Sequence, residues 1–168
     1  MDRHNFSQVA RENAVRWRRI AFLISGDWGR AEDMVQEALL RMYRQWHRID
    51  VGGVDAYARR VLSRLAIDEA RRRERRGEVF GPVPERPAAG SAVDDVVDVR
   101  AAIARVPPRQ RAVLVLRYYG GLSVAETAAA LRISEGTVKS QCARGLNALR
   151  AALGESAREG QTEAGELR

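Results

Sequence analysis

Apolar residues recur at helical spacing through most of this chain, and nothing before about residue 105 reads as strand. Phe6, Val9, Ala10, Trp17, Ile20 and Ile24, with Asn13 between them, predict a first amphipathic helix over residues 5–25. Ser25-Gly26-Asp27 breaks it, and Asp27 is placed to cap a second helix over 29–47. That helix buries Ala31, Met34, Val35, Ala38, Leu39, Met42, Tyr43 and Trp46. After a Val51-Gly52-Gly53 loop, Asp55 starts a third helix that runs to about Arg75, with Ala58, Val61, Leu62 and Leu65 as its inner stripe. Residues 77–92 hold Pro82, Pro84, Pro87 and three glycines without periodicity, which predicts a flexible linker. Helical pattern resumes near Val93, breaks at Pro107-Pro108 and again at Gly120-Gly121, and continues beyond. The polar residues 154–168 read as a frayed, disordered tail. The expected fold is all-α, with two small helical domains, 5–76 and 93–153, joined by the linker.

Within the second domain, Ala128, Leu131, Ile133 and Val138 have the spacing that packs two short helices across a tight turn, a helix-turn-helix. Ser134 can cap the second of these helices. The outward face then carries Glu135, Thr137, Lys139, Gln141 and Arg144, which suits a major groove and its phosphates.

Charge sharpens that picture. The formal net charge of +7 is unevenly placed. Residues 1–76 hold 17 Arg against 11 acids, residues 77–104 hold 2 against 5, and residues 105–153 hold 8 bases against 2 acids. Two basic blocks separated by an acidic segment fit two nucleic-acid-facing units on a tether. The single Cys142 excludes an intramolecular disulfide, and one Cys with two His leaves no zinc constellation. No apolar run approaches the ~20 residues that span a bilayer, and the N-terminus lacks the apolar segment of a signal peptide. A soluble, cytoplasmic protein without membrane insertion, metal or cofactor is expected.

One stripe of the second helix stands apart. Asp33, Gln36, Glu37 and Leu40 follow i, i+3, i+4, i+7 spacing, and Arg41 and Arg44 flank them. Taken alone, the stripe reads most simply as acidic early turns that offset the helix dipole. A face for a protein partner is the alternative.

Context alters that weighting. The segment 31–46, AEDMVQEALLRMYRQW, resembles the core-polymerase-binding segment of sigma factors of the extracytoplasmic-function group. The segment 55–73, DAYARRVLSRLAIDEARRR, is similar to the part of that family that meets the promoter −10 element. Residues 106–119, VPPRQRAVLVLRYY, followed by SEGTVKS at 134–140, resemble its −35-binding region. The likeness covers nearly all of 6–153, in order. It implies a non-enzymatic alternative sigma factor of the sigma-70 family that binds core RNA polymerase (β′ clamp and β flap) and promoter DNA. An anti-sigma factor is a further partner of the kind the family implies. By the same resemblance, Asp33, Gln36, Glu37 and Leu40 dock on polymerase. Trp46, Asp50, Tyr57, Arg59, Arg60 and Arg64 serve the −10 element, where unstacked bases need aromatic surfaces and neutralising arginines. Arg109, Arg111, Ser134, Glu135, Thr137, Lys139, Gln141 and Arg144 serve the −35 element.

Bland readings stand beside several of these. The helical spacing of Tyr43 and Trp46 favours core over base stacking, Asp68 is expected to pair with an Arg on a neighbouring helix, and Trp17 and Trp28 are expected to pack. Arg71–Arg76 reads as a solvated helix end near phosphates. Cys142 reads as a small buried hydrophobe. Three residues depart from the family pattern. Arg132 stands at the turn where Gly is common, so a positive φ there costs on the order of 1 kcal/mol unless the turn avoids it. Gln141 replaces a common Arg, and a Gln favours adenine where Arg favours guanine. Gly145 lies inside the recognition helix at about 1 kcal/mol against Ala. Rival functions rank lower. A freestanding regulator would need a ligand-pocket pattern in the charged first domain. A nuclease would need a third carboxylate beside Asp33 and Glu37. An adaptor that never meets DNA would not need the basic recognition helix.

Overall fold

The first helix folds back on the second because Ser25-Gly26-Asp27 supplies both a stop and a start. In the computed structural model, which describes residues 3–77 and 93–166, α1 spans Arg3–Ser25 and α2 spans Trp28–Arg44. The Asp27 carboxylate accepts from the Arg30 backbone N–H at 2.8 Å, the expected cap. The second helix ends earlier than its apolar pattern suggested. Trp46–Arg48 and Val51–Gly53 are 3-10 turns that lead into α3, Val54–Arg75. Trp17, Ile20, Ile24, Met42 and Leu62 are wholly or nearly buried where these helices meet. Salt bridges at the rim join α1 to α2 (Arg18–Glu32, 2.8 Å) and α2 to α3 (Arg30–Glu69, 2.8 Å). Glu69 thus makes the interhelical pair expected of Asp68, which one position along is exposed. Trp28 stacks on Phe22 at 4.0 Å, and Trp17 is fully buried, so both pack as expected.

The expected linker lies outside the described residues apart from Gly77. The second unit consists of α4 (Val93–Arg105), α5 (Pro108–Leu114), α6 (Val124–Leu131) and α7 (Glu135–Glu166). Pro108 sits at the first turn of α5, where its missing N–H leaves nothing unpaired. Helix α5 widens into a π turn over Val115–Tyr119, closed by Gly120 N–H donating to the Val115 carbonyl at 2.7 Å. Gly120 is required there: a Cβ would lie 2.8 Å from the Leu116 carbonyl oxygen. Ser123 and Glu126 form a reciprocal capping box at the start of α6. The backbone and hydroxyl bonds from Ser123 hold the Glu126 carboxyl below the usual carboxylate range, so the box is intact at neutral pH and loosens as pH falls through that lowered value.

The helix-turn-helix forms as its apolar spacing predicted. Val113, Ala128 and Val138 are buried together, with Leu131, Ile133 and Cys142 partly buried against them. Ser134 caps α7 by accepting from the Thr137 N–H at 3.1 Å. The turn does not avoid strain: Arg132 adopts φ +56°, ψ +48°, the left-handed conformation, and ends α6. The recognition helix also overturns the expected tail, because α7 continues through Glu166. Residues 155–166 contain no proline and are mostly Ala, Glu, Gln and Arg, so local propensity outweighs their two glycines.

The two units are packed on one another. Ala112 and Val115 of the second unit are buried within the same cluster as Trp17, Ile20 and Leu62 of the first. Helix α3 lies against α5 and α6, while α1 meets α4, α5 and the π turn.

Two stability tests follow from the backbone. Arg132→Gly relieves the left-handed conformation and should stabilise the chain by about 1 kcal/mol in urea unfolding. Gly145 lets α7 approach α5 closely, since a Cβ there would lie 3.1 Å from the Leu114 side chain and 3.3 Å from Gln110 Cβ. Gly145→Leu should therefore destabilise it by about 1–3 kcal/mol through overpacking, seen as a lowered melting temperature.

Candidate nucleic-acid interface

Helix α7 carries five of the eight residues assigned to the −35 element, and Ser134 caps it. Glu135, Lys139 and Arg144 are exposed, while Thr137 and Gln141 are half-buried on the flank. The Ser134 hydroxyl is held 2.8 Å from the Thr137 hydroxyl, which fixes both at the helix entry rather than leaving them free to search for a base. Arg109 is exposed on α5. Arg111 is not on that face. It is 1% exposed, and its guanidinium lies against Gly26 at the α1–α2 turn. Burial, and next the charge of Arg73, push its pKa down to about 10, so it stays charged at neutral pH. The expectation that Arg111 meets −35 DNA does not hold in this arrangement of the units. The i, i+2 offset from Arg109 turns it inward on α5.

The residues assigned to the −10 element divide in three. Asp50 and Arg60 are exposed. Trp46 is 5% exposed, its ring set edge-on against Phe6 at 5.1 Å, which leaves no face for a base. Tyr57 is half-buried with its hydroxyl 3.3 Å from the Gln45 amide oxygen. Arg59 and Arg64 turn toward the second unit. The Arg59 guanidinium donates to the Gly120 carbonyl and pairs with Asp55 at 2.8 Å. Arg64 donates to the carbonyls of Ala130 at 2.9 Å and Ala129 at 3.4 Å. Desolvation, followed by the nearby charges of Arg132 and Arg60, lowers the pKa of Arg64.

Asp55 joins three side chains, although the sequence pattern marked it only as a helix start. Its carboxylate accepts from the Trp17 indole N–H at 2.9 Å and from Arg16 at 3.0 Å, and it pairs with Arg59. Arg16 reaches the Gly120 carbonyl as well, at 3.4 Å. The only signal in the sequence was an acid one turn before Arg59. Its other two partners lie 38 and 39 residues away.

On the far side of α2, Asp33, Gln36 and Leu40 are exposed, Leu40 by 53%, and Glu37 is half-buried in a 2.7 Å bridge to Arg41. Tyr43 continues this strip, its ring against Phe6 and 43% exposed. An exposed leucine at the end of a polar stripe is what a protein contact would bury.

Comparison with known proteins agrees with the two-unit division. Residues 9–76 match the family model for sigma-70 region 2, and residues 97–149 match that for sigma-70 region 4. The chain is 34% identical to an ECF RNA polymerase sigma factor SigM of Mycobacterium tuberculosis, over 91% of this chain and 79% of that protein. It is 37% identical to an RNA polymerase sigma-E factor of Streptomyces coelicolor, over 84% of this chain and 85% of the other. Against the ECF RNA polymerase sigma factor SigE of Mycolicibacterium smegmatis it is 32% identical but spans only 60% of that longer protein. Among solved structures it is similar to the sigma factor RpoE of Bartonella quintana in complex with the anti-sigma factor NepR. That likeness has a TM-score of 0.74 and 25% identity, covering 88% of this chain and 96% of that one. With both regions matched in order on a shared all-helical fold, the chain belongs to the extracytoplasmic-function group of sigma-70 RNA polymerase sigma factors.

Proposed function

We propose that this chain carries out the family's task, promoter-specific initiation of transcription, through three separate surfaces. The α2 stripe of Asp33, Gln36, Glu37 and Leu40 docks on core RNA polymerase. The Arg-rich α3 face, with Arg59, Arg60 and Arg64, neutralises the backbone of the −10 strand. The start of α7 reads the −35 duplex. A protein with this role catalyses no reaction of its own, and acts by holding polymerase and two DNA elements in one geometry.

The observation that carries this reading is the pairing of two exposed faces in one chain. An acidic-amide stripe that ends in an open leucine lies on α2, and a basic recognition helix lies on α7. A freestanding regulator has no use for the first, and a polymerase adaptor has none for the second. No helix among the described residues is long and apolar enough to cross a membrane, and work on the chromosome places the protein in the cytoplasm. The β′ clamp is the natural seat for the α2 stripe and the β flap for the second unit. An anti-sigma factor is a further partner, by analogy with the similar Bartonella quintana protein, which was solved bound to one.

Reconstitution with core polymerase tests the whole reading: the holoenzyme should start transcripts at a restricted promoter set that core alone ignores. Charge reversal of Asp33 and Glu37 to Arg should weaken core binding by at least about tenfold, on the scale of an interfacial charge contact, in a pull-down or fluorescence titration. Unchanged binding removes the stripe from the docking surface. For the −35 element, Gln141→Arg should move preference from adenine toward guanine at one base pair, with about 1–3 kcal/mol of discrimination in a randomised-site selection. An unaltered logo would assign Gln141, half-buried on the flank of α7, to packing.

A further inference from the structure

Arg132 is unfavourable where it stands on two counts. It ends α6 at φ +56°, ψ +48°, and among the described residues no other side chain than glycine takes a positive φ. Glycine adopts that conformation freely, whereas the Cβ of an arginine crowds the backbone there. The second count is electrostatic. Arg64 donates to the Ala130 carbonyl, two residues before Arg132, at 2.9 Å, and Arg60 precedes Arg64 by one turn of α3. After desolvation, the charges of Arg132 and then Arg60 lower the pKa of Arg64, so Arg132 meets like charge at this point. Nothing in the chain offsets either count. Arg132 is exposed, and among the described residues no carboxylate pairs with it. Strained residues of this kind cluster at ligand contacts. The place of Arg132 in the helix-turn-helix says which ligand. Its N–H donates to the Ala128 carbonyl, and Ser134 caps α7 two residues later, so the turn is fixed on both sides of the arginine. A helix that enters a major groove by its N-terminal end brings the preceding turn to the phosphate rim of that groove.

We propose that Arg132 is a backbone anchor for the −35 duplex: its guanidinium binds a DNA phosphate at the rim of the groove that α7 enters, and its left-handed conformation fixes the point from which it reaches. This rests on the reading above that the start of α7 meets the −35 duplex. The anchor supplies affinity and register without reading a base, because phosphates carry no sequence information directly. It complements Gln141, the candidate base reader on the same helix. A charge-assisted bond from phosphate also gives the guanidinium the anionic partner that the chain itself withholds. A glycine in the turn would join α6 to α7 with less strain, and would lack this contact.

The test uses holoenzyme reconstituted from the full chain and core polymerase, titrated over a salt series against a dye-labelled duplex taken from the randomised-site selection. Arg132→Gln keeps a side chain in the left-handed turn and removes its charge. It should weaken binding about tenfold, the scale of one charge-assisted hydrogen bond. It should also reduce the slope of log K against log salt by about 0.9, the counterion release of one phosphate. Arg132→Lys should restore most of that slope. Arg132→Gly should lose affinity and slope as Arg132→Gln does, although the chain itself becomes more resistant to urea, so stability and DNA binding move in opposite directions. All three variants should select the same base sequence as the wild type. Wild-type affinity in Arg132→Gln, a loss of affinity with an unaltered salt slope, or a changed base preference would each overturn the anchor and leave the −35 reading of α7 intact. A wild-type holoenzyme that binds equally well to the duplex with its −35 segment scrambled would instead overturn the −35 reading, and the anchor with it.

Discussion

The Asp55 carboxylate is the constraint on which the arrangement turns. It sits at the first turn of α3, where a negative charge complements the helix dipole, and it takes the Trp17 indole N–H from the centre of the first core. That bond gives the buried indole its partner and sets the distance between α1 and α3. The same carboxylate holds Arg16 and Arg59, and those two cations meet at the Gly120 carbonyl of the second unit. One acid therefore links the inner packing of the first unit to the orientation of Arg16 and Arg59 and to the seam between the units. Without it, the Trp17 N–H is left buried and unpaired, which costs about 1–3 kcal/mol, and Arg59 loses its aim.

The second unit is shaped by departures from regular helix. The π turn after α5, the close approach at Gly120 and the strained Arg132 each shift the chain at a place where the two units face one another or where α6 ends. The carbonyls that these features free or expose are the ones that the first unit's arginines reach. Arg132 is the clearest case. A glycine would relax the turn, yet an arginine stands there, adding positive charge beside Arg64 and Arg60. The strain buys a cation at the mouth of the seam.

The recognition helix and the α2 stripe are open, whereas Arg64 is held by neutral carbonyls and Arg59 by a neutral carbonyl and the Asp55 carboxylate together. A charge-assisted bond to a neutral carbonyl is weaker than an ion pair, and each carbonyl accepts in a fixed direction. A chain whose α3 arginines had no partners there would present a more basic surface to any nucleic acid.

The sequence by itself determined the helices, their caps and the helix-turn-helix core. These rest on periodicity and on hydrogen bonds spanning three or four residues, such as Asp27 to Arg30 and Ser134 to Thr137. It also identified the family, through three segments in order. The ending of α2 and the inward turn of Arg111 were less legible, because each depends on what the helix packs against rather than on its own pattern, whereas the continuation of α7 lay in local propensity that two glycines obscured. The pairing of Arg59 and Arg64 with Gly120, Ala129 and Ala130 was decided only in the tertiary structure. A guanidinium looks the same in the sequence whether its acceptor is a phosphate or a carbonyl 61 to 66 residues away. Only the packing of α3 on α6, and of α1 on the π turn, says which acceptor lies within reach.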